Sequence, residues 1–367
     1  QGLIENVSAH GKLIYNQASG LVYNNNGIIS NCFSFLDIID PSQNYKSYIG
    51  GLAGINVNQI IDSHFIGSIT TTNNSQTGGL TAINYGSIER CSARFDLNID
   101  VVKPTSDLTA GGITAVNGSY REKQIIEQGG ELIEIPEQLV QAQIYNSHAI
   151  INVEYISSST EGMAVGGLVG LSGCTIMENS YSDIKGQGVL YGIIASSQAK
   201  PIYDEAENIV DYEFLGTKDI ENCFSIADLQ PQIIRDTHGG ELEEILPSSN
   251  NLISYDTLFN DDTQKLAELL QNPQAEWKGS FRQHPYIQDS FFIGEGTAEN
   301  PFIIDQKNHI FMLRGFMYDD YLDYYLEQRA DLDFYNIEFK PLNFYQFFST
   351  YDANDFLILN LDAPYFI

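Results

Sequence analysis

"GGLAGINVNQIIDSHF" spans residues 50–65 and joins a glycine pair to "INVNQII", a run with the character of a buried strand followed by a short polar break. Taken alone, Gly50-Gly51 reads as a tight turn or as a loop that cradles a phosphate. Recurrence decides between the two. The glycine motif returns as "SGLVYNNNG" (19–27), "GGLTAINYG" (78–86), "GGITAVNGS" (111–119), "GGLVGLSGC" (166–174) and a worn "YGIIASSQA" (191–199). A second motif follows it: "ISNCFS" (29–34), "IIDSHF" (60–65), "IERCSA" (88–93), "IYNSHA" (144–149), "MENSYS" (177–182) and "IENCFS" (220–225), with an orphan "IENVSA" at 4–9. The offset from Gly20, Gly51 and Gly79 to the next motif is 9 residues, and from Gly167 it is 10. Successive glycine motifs are 31, 28, 33, 55 and 25 residues apart, and an extra stretch between Gly112 and Ile144 explains the long step.

Self-similarity at such a period is the signature of a solenoid. Two short β-rich strands per unit, bounded by Gly, Asn and Ser, predict one coil of a parallel β-helix, and runs such as "FIGSITT" (65–71) and "ARFDLNIDV" (93–101) supply a third. Equivalent residues of successive coils then stack about 4.8 Å apart. Ile4, Ile29, Ile60, Ile88, Ile144, Met177 and Ile220 fall into one inward apolar ladder. Val7, Cys32, Ser63, Cys91, Ser147, Ser180 and Cys223 fall into a column of small residues, which predicts free buried thiols because the cysteine-bearing coils are not neighbours. Asn6, Asn31, Asn146, Asn179 and Asn222 sit one residue earlier, where a turn or an asparagine ladder would satisfy backbone groups. Gly51, Gly79, Gly112 and Gly167 mark the corner where one coil packs on the next. About seven coils give a rod roughly 30–35 Å long.

The pattern GGL-x-G-x-N-x-G-x-I-x-N-[CS]-[YF]-S resembles the GLUG repeat of bacterial surface proteins, adhesins and the non-catalytic parts of IgA-protease-like surface peptidases. "GGLVGLSGCTIMENSYSDIKGQG" (166–188) is the best copy, and the resemblance covers about residues 1–226. It implies a right-handed parallel β-helix at the cell surface or outside the cell. Arg90, in place of the usual Asn, departs from the pattern.

Composition narrows the partners. With 48 Asp+Glu against 18 Lys+Arg the formal charge is −30, a surface that repels nucleic acid and anionic lipid. No apolar run reaches the roughly 20 residues of a membrane helix, so membrane insertion is not expected. Such acidity is compatible with Ca²⁺, but no ligand set is specified, and no cofactor is expected. No signal peptide is visible at the N-terminus, which begins inside a patterned segment, as expected of a trimmed or processed product.

Two insertions, 119–143 and 199–219, interrupt the coil at the same place and should project from one face. Both are acidic, and Glu131, Glu134, Glu137, Asp204, Glu205 and Glu207 are their candidate binding residues. The echo between "GGELIEIPE" (129–137) and "GGELEEILP" (239–247) suggests a hairpin used twice. The repeats are assigned to a domain 1–250 and the remainder to an α+β module, 251–367, whose "TQKLAELLQ" and "NHIFMLRGFM" read as short helices. Residues 281–367 hold 22 of the 42 Phe+Tyr, and "SFFIGEGTAENPFIID" with "YYLEQRADLDF" resembles a block that opens new modules in the same surface proteins. This module is expected to cap the rod or to assemble with a neighbouring subunit, Phe344, Tyr345, Phe347, Phe348, Tyr365 and Phe366 being its candidate contacts.

Enzyme motifs are absent from the sequence. "GEGTAEN" (294–300) lacks the dinucleotide fingerprint, the six histidines form no metal-ligand spacing, and His64 and His148 take a packing position held elsewhere by Phe33, Tyr181 and Phe224. Asp37, Asp40, Asp62 and Asp96 share no column on this reading, and "THGG" (237–240) is a poor match to a polysaccharide hydrolase. Sequons begin at Asn6, Asn73 and Asn117. The expectation is a non-enzymatic, extracellular or surface structural and adhesive module. Its partners would be like subunits stacked head to tail into a filament, a host or matrix protein, or a glycan. A polysaccharide-binding or polysaccharide-degrading β-helix is the alternative.

Overall fold

Each repeat closes into one four-sided turn of a parallel β-helix. The computed structural model describes residues 2–41, 45–72, 74–100, 108–121, 124–128, 131–156, 164–204, 209–214, 219–226, 235–236, 252–253, 263–278, 284–287, 292–313, 323–335 and 349–361. Four stacked sheets form the sides, and the chain visits them in a fixed order. The isoleucine face has seven strands from Leu3–Glu5 to Asp219–Glu221, and the long face has eight from Ser8–Ile14 to Leu252–Ile253. The glycine face has five from Ser47–Gly50 to Val189–Tyr191, and the asparagine face has seven from Val22–Asn25 to Arg235–Asp236. The seven-turn parallel β-helix is thus the fold, with one more strand per turn than the motifs suggested. The glycine face escaped notice because its three- or four-residue strands run straight into the glycine pair, as in Ser75–Gly78, and read as part of a turn.

The predicted ladder is in register, Ile4 on Ile29, Ile29 on Ile60, Ile60 on Ile88, Ile88 on Ile144, Ile144 on Met177 and Met177 on Ile220. Ile29, Ile60, Ile88, Ile144 and Met177 are fully buried in the core that fills the rod. Two residues on is the corner onto the long face, and its backbone is left-handed: Asn6, Asn31, Asp62, Arg90, Asn146, Asn179 and Asn222 have φ between 47° and 56°. Asn tolerates that region better than other side chains, which accounts for its recurrence. Arg90 occupies it by pairing downward, its Nε and Nη2 donating to both Asp62 oxygens at 2.7 and 2.8 Å and Nη1 to Glu89 at 2.7 Å. In the small column behind this corner, Ser63 and Ser147 hydroxyls accept the backbone N–H of Cys32 and Cys91 at 3.0 and 3.1 Å. Cys32, Cys91 and Cys223 are free and buried, as expected of this column, as is Cys174 outside it, and burial pushes the Cys223 thiol up to about 12.

The continuous asparagine ladder stands elsewhere, at the end of the asparagine face. Asn25 donates to Asn56 at 2.8 Å, Asn56 to Asn84 at 2.7 Å and Asn84 to Asn117 at 2.7 Å, and Asn117 passes the chain on to Thr175 at 3.0 Å. Asn56, Asn84 and Asn117 are fully buried, so each amide replaces the water its neighbour would otherwise lack. The second glycine of each pair is required for space and not for backbone angle. A Cβ on Gly51 would overlap the Gly79 carbonyl oxygen, one on Gly79 the Gly112 oxygen, and one on Gly112 the Gly167 oxygen.

The C-terminal module is α+β, with helices Thr263–Leu270 and Lys307–Leu313 close to the predicted helical segments. Its strands Phe302–Ile304, Tyr325–Gln328 and Thr350–Asp352 stack in parallel, and so do Leu332–Asp333 and Ile358–Leu359. The sequence leads one to expect this module to cap the end of the rod or to meet a neighbouring subunit; the described residues pack along the flank instead of over the end. The outward side of the long face carries Phe35, Ile66, Tyr181, Phe224 and Ile226, an apolar stripe that would otherwise face water. Phe35 and Ile66 pack with Phe302, Phe311 and Leu326, and Tyr181, Phe224 and Ile226 pack with Leu266, Leu270 and Trp277. Phe344, Tyr345, Phe347, Phe348, Tyr365 and Phe366 lie outside the described residues.

Gly79→Ala forces the rungs apart and should cost about 2–4 kcal/mol of unfolding free energy in a chemical denaturation series. Gly2→Ala, where a methyl group meets nothing within 4 Å, should stay within about 0.5 kcal/mol.

Candidate functional site

Both insertions are antiparallel β-hairpins, and both spring from the same corner of the rod. The first leaves after the asparagine-face strand Thr114–Asn117, with Ser119–Arg121 paired to Gln138–Val140 and Gln124–Gln128 paired to Glu131–Ile135. The second leaves after Ile194–Ser197, with Ala199–Tyr203 paired to Ile209–Phe214. Each returns into the isoleucine face, at Ala142–Tyr145 and at Asp219–Glu221. The asparagine-face strand between them, Val169–Ser172, stacks on both neighbours, so the arms rise two rungs, or about 10 Å, apart.

The intervening turn shows how the corner is crossed without an arm: Gly173 and Cys174 lead directly into Thr175–Glu178. Gly173 fits because it has no side chain, as a Cβ there would meet Gln198 Oε1 and the backbone of Gly118 and Ser119 at 2.6–2.7 Å. Gln198 Oε1 in turn accepts the Tyr120 N–H at 2.8 Å, tying the base of one arm to the base of the other. Gly118, with φ 70°, starts the first arm immediately after the buried Asn117.

Glu131 and Glu134 fall on the outer strand of the first arm, and Glu137 is exposed where that strand hands over to Gln138–Val140. Asp204 is exposed at the tip side of Ala199–Tyr203, and Glu205 and Glu207 lie outside the described residues, as does the 239–247 echo. Among the described residues no three His, Cys, Asp or Glu side chains gather to hold a metal ion, and no helix is long and apolar enough to cross a membrane. The Asn117 sequon is fully buried in the ladder, whereas Asn6 is exposed.

One reading from sequence is overturned. Asp37 and Asp96 do share a column, because Asp37 pairs with Ser68 and Ser68 with Asp96 on the long face. The column continues outward-facing from Lys12 through Asp37, Ser68, Asp96 and Asn152 to Lys185. Ser68 donates to Asp37 at 2.7 Å and Asn152 to Asp96 at 3.1 Å. The motif spacing concealed this because residues 34–37 and 92–96 lie beyond the recurring corner, where only strand pairing fixes the register. Asp62 takes no part, being held by Arg90 at the corner.

No protein-family model matches the chain, and no curated protein matches it. Among solved structures it is similar to an IgA1 protease, at 17% identity and a TM-score of 0.42, over 71% of this chain and 20% of that one. The chain therefore spans about a fifth of the length of that protein.

Gln198→Ala removes the acceptor of the Tyr120 N–H and should cost about 1 kcal/mol locally. Hydrogen exchange should then quicken at Tyr120 and along Ser119–Arg121, with amides of the isoleucine ladder unchanged.

Proposed function

We propose that this chain is an extracellular or cell-surface structural and adhesive module: a rigid acidic rod that displays two β-hairpin arms to a host or matrix protein or a glycan. One observation carries the reading. The arms leave one corner two rungs apart and are cross-tied at their bases, while the turn between them crosses that corner with Gly173 and Cys174 alone. Closing the solenoid therefore needs no arm, and paired projections on one side of a stiff rod are suited to contact with something outside it. Ordered loops longer than their connection requires are characteristically functional, and the expected acidity of these arms selects against anionic surfaces.

Replacing 119–141 and 199–218 by short turns patterned on Gly173-Cys174, with the isoleucine-face strands Ala142–Tyr145 and Asp219–Glu221 kept, should leave the thermal midpoint within a few degrees. The same variant should lose hits on a glycan and matrix-protein array that the parent chain gives. Equal hits with and without the arms would remove the proposal. Light scattering of the parent across a concentration series distinguishes display by single rods from head-to-tail assembly of like subunits.

The Asp37–Asp96 column favours a second reading, polysaccharide binding or cleavage. Two rungs separate these carboxylates by about 10 Å at the backbone, near the roughly 6.5–9.5 Å that carboxyl groups of inverting glycosidases span. Reducing ends released from an acidic-polysaccharide panel, and abolished by Asp37→Asn or Asp96→Asn, would support cleavage; silence across the panel would exclude it.

A further inference from the structure

Histidine is concentrated at one seam. Of six in the chain, His10, His64 and His148 stand on the outward side of the long face, beneath the C-terminal module. His284 meets them from the module side, and His309 belongs to the helix whose Asn308 and Phe311 touch His10. His64, His148 and His284 are at most 2% exposed. This is a placement that outward-facing residues of a lone solenoid would not have; it exists only because the module is docked.

The chemistry of the seam fixes the state of His148. Arg94, fully buried, points Nε and Nη2 at His148 Nε2 from 3.3 and 3.2 Å. Guanidinium nitrogens only donate, so His148 Nε2 must carry a lone pair and the ring must be neutral. A proton on that nitrogen would abolish the contact and set two cations against each other out of water. Among the described residues His148 also faces the stacked Tyr181 ring at 5.0 Å, the Trp277 ring at 5.9 Å, His64 and His284. His10 faces Asn308 Oδ1 at 3.2 Å, Ser8 Oγ at 3.1 Å, the rings of Phe35 and Phe311, and the charge of Lys307. His64 bonds Ser92 Oγ at 2.7 Å and lies beside Phe33. The pair that resists release is His284 Nε2 on Asp183 Oδ2 at 2.8 Å, where Lys185 shares the same oxygen at 3.0 Å.

We propose that the docking of the C-terminal module on the long face is an acid-released latch, closed while His10 and His148 are neutral and opened when they take up protons, uncovering the aromatic flank of the rod. The direction of the linkage agrees. Burial, then Arg94, holds His148 well below the ordinary imidazole value, and burial lowers His10 to about 4 against the opposing hydrogen bond to Asn308. His309 is lowered by burial too, with Asp305 opposing. Undocking returns water to His10 and His148 and lifts the largest cause that lowers each, so both values rise toward the ordinary one near 6.5. A docked value below the undocked one means that the contribution to docking is complete above pH 6.5 and is lost as pH falls from there through about 4. The partial exposure of His10 reduces its share, leaving on the order of tenfold weaker docking from that ring at pH 5 than at pH 7.5, with His148 acting in the same direction.

The single tryptophan reports the seam directly, since Trp277 is 1% exposed between His148 and Tyr181. Titrating the full chain from pH 8 to pH 4, tryptophan emission should shift to the red, reversibly, while the far-ultraviolet β signal of the solenoid persists. His10→Gln with His148→Gln keeps neutral hydrogen-bonding side chains at both places and should move the transition at least one pH unit lower. Emission unchanged at pH 4, a β signal lost at the same midpoint, or an unshifted transition in the double variant would each overturn the latch. Should the double variant fail to fold, the separation of the two signals in the parent still decides.

Discussion

The rise of about 4.8 Å between hydrogen-bonded strands is the constraint on which the rest of this molecule depends. Once one turn of backbone must lie that close to the next along every side, each position in the turn becomes a column, and each column admits few side chains. The glycine corner shows the limit. A Cβ on Gly79 has nowhere to go, because the carbonyl of Gly112 already occupies the space. The asparagine column shows the converse. A buried amide that can donate upward and accept from below turns the short spacing into a satisfied chain through Asn25, Asn56, Asn84 and Asn117.

What was legible in the sequence follows from this. Columns at corners are read easily, since backbone geometry there restricts the residue type at every turn: left-handed backbone selects Asn at 31, 146, 179 and 222, and crowding selects Gly at 51, 79 and 112. The isoleucine ladder could be written down in register for the same reason, as it starts a fixed distance from those corners. Side columns far from a corner carry no such restriction on their outward faces. Lys12, Asp37, Ser68, Asp96, Asn152 and Lys185 share only a position, and nothing in their chemistry repeats, so the Asp37–Asp96 alignment became visible only with the strand pairing. The hairpin nature of the arms was partly foreshadowed by "GGELIEIPE", whereas the tie between Tyr120 and Gln198 joins residues 78 apart and has no local signal.

The flank location of the C-terminal module was hidden for a different reason. Alternation along the long face puts Phe35, Ile66, Ile150 and Ile226 outward, and such residues look like core members when the inward set, Phe65, Phe95 and Ile151, is equally apolar. A strand apolar on both sides is the mark of a sheet covered on both sides. Here one cover is the rod's own interior and the other is the aromatic module, which explains why the aromatic content rises so sharply in the C-terminal part of the chain.

Two kinds of surface therefore coexist on one rod, and their physical demands differ. The arms leave a corner whose closure is already complete, so their sequences are free of the stacking constraint and can vary without cost to the turn beneath them. The seam has the opposite character: Arg94, His148 and Asp183 on the outward side of the rod, and His284 on the module facing them, are polar groups with at most 2% exposure, and each depends on a partner contributed across the interface or from the next rung. Buried polar groups of this kind stabilise an interface only in one geometry and one protonation state. An interface made of aromatic rings alone would hold the module more simply. The polar groups make docking conditional on proton occupancy, while the columns inside the rod, built from apolar, amide and hydroxyl groups and from thiols that burial pushes up, do not titrate near neutrality and keep the solenoid itself indifferent to the same change.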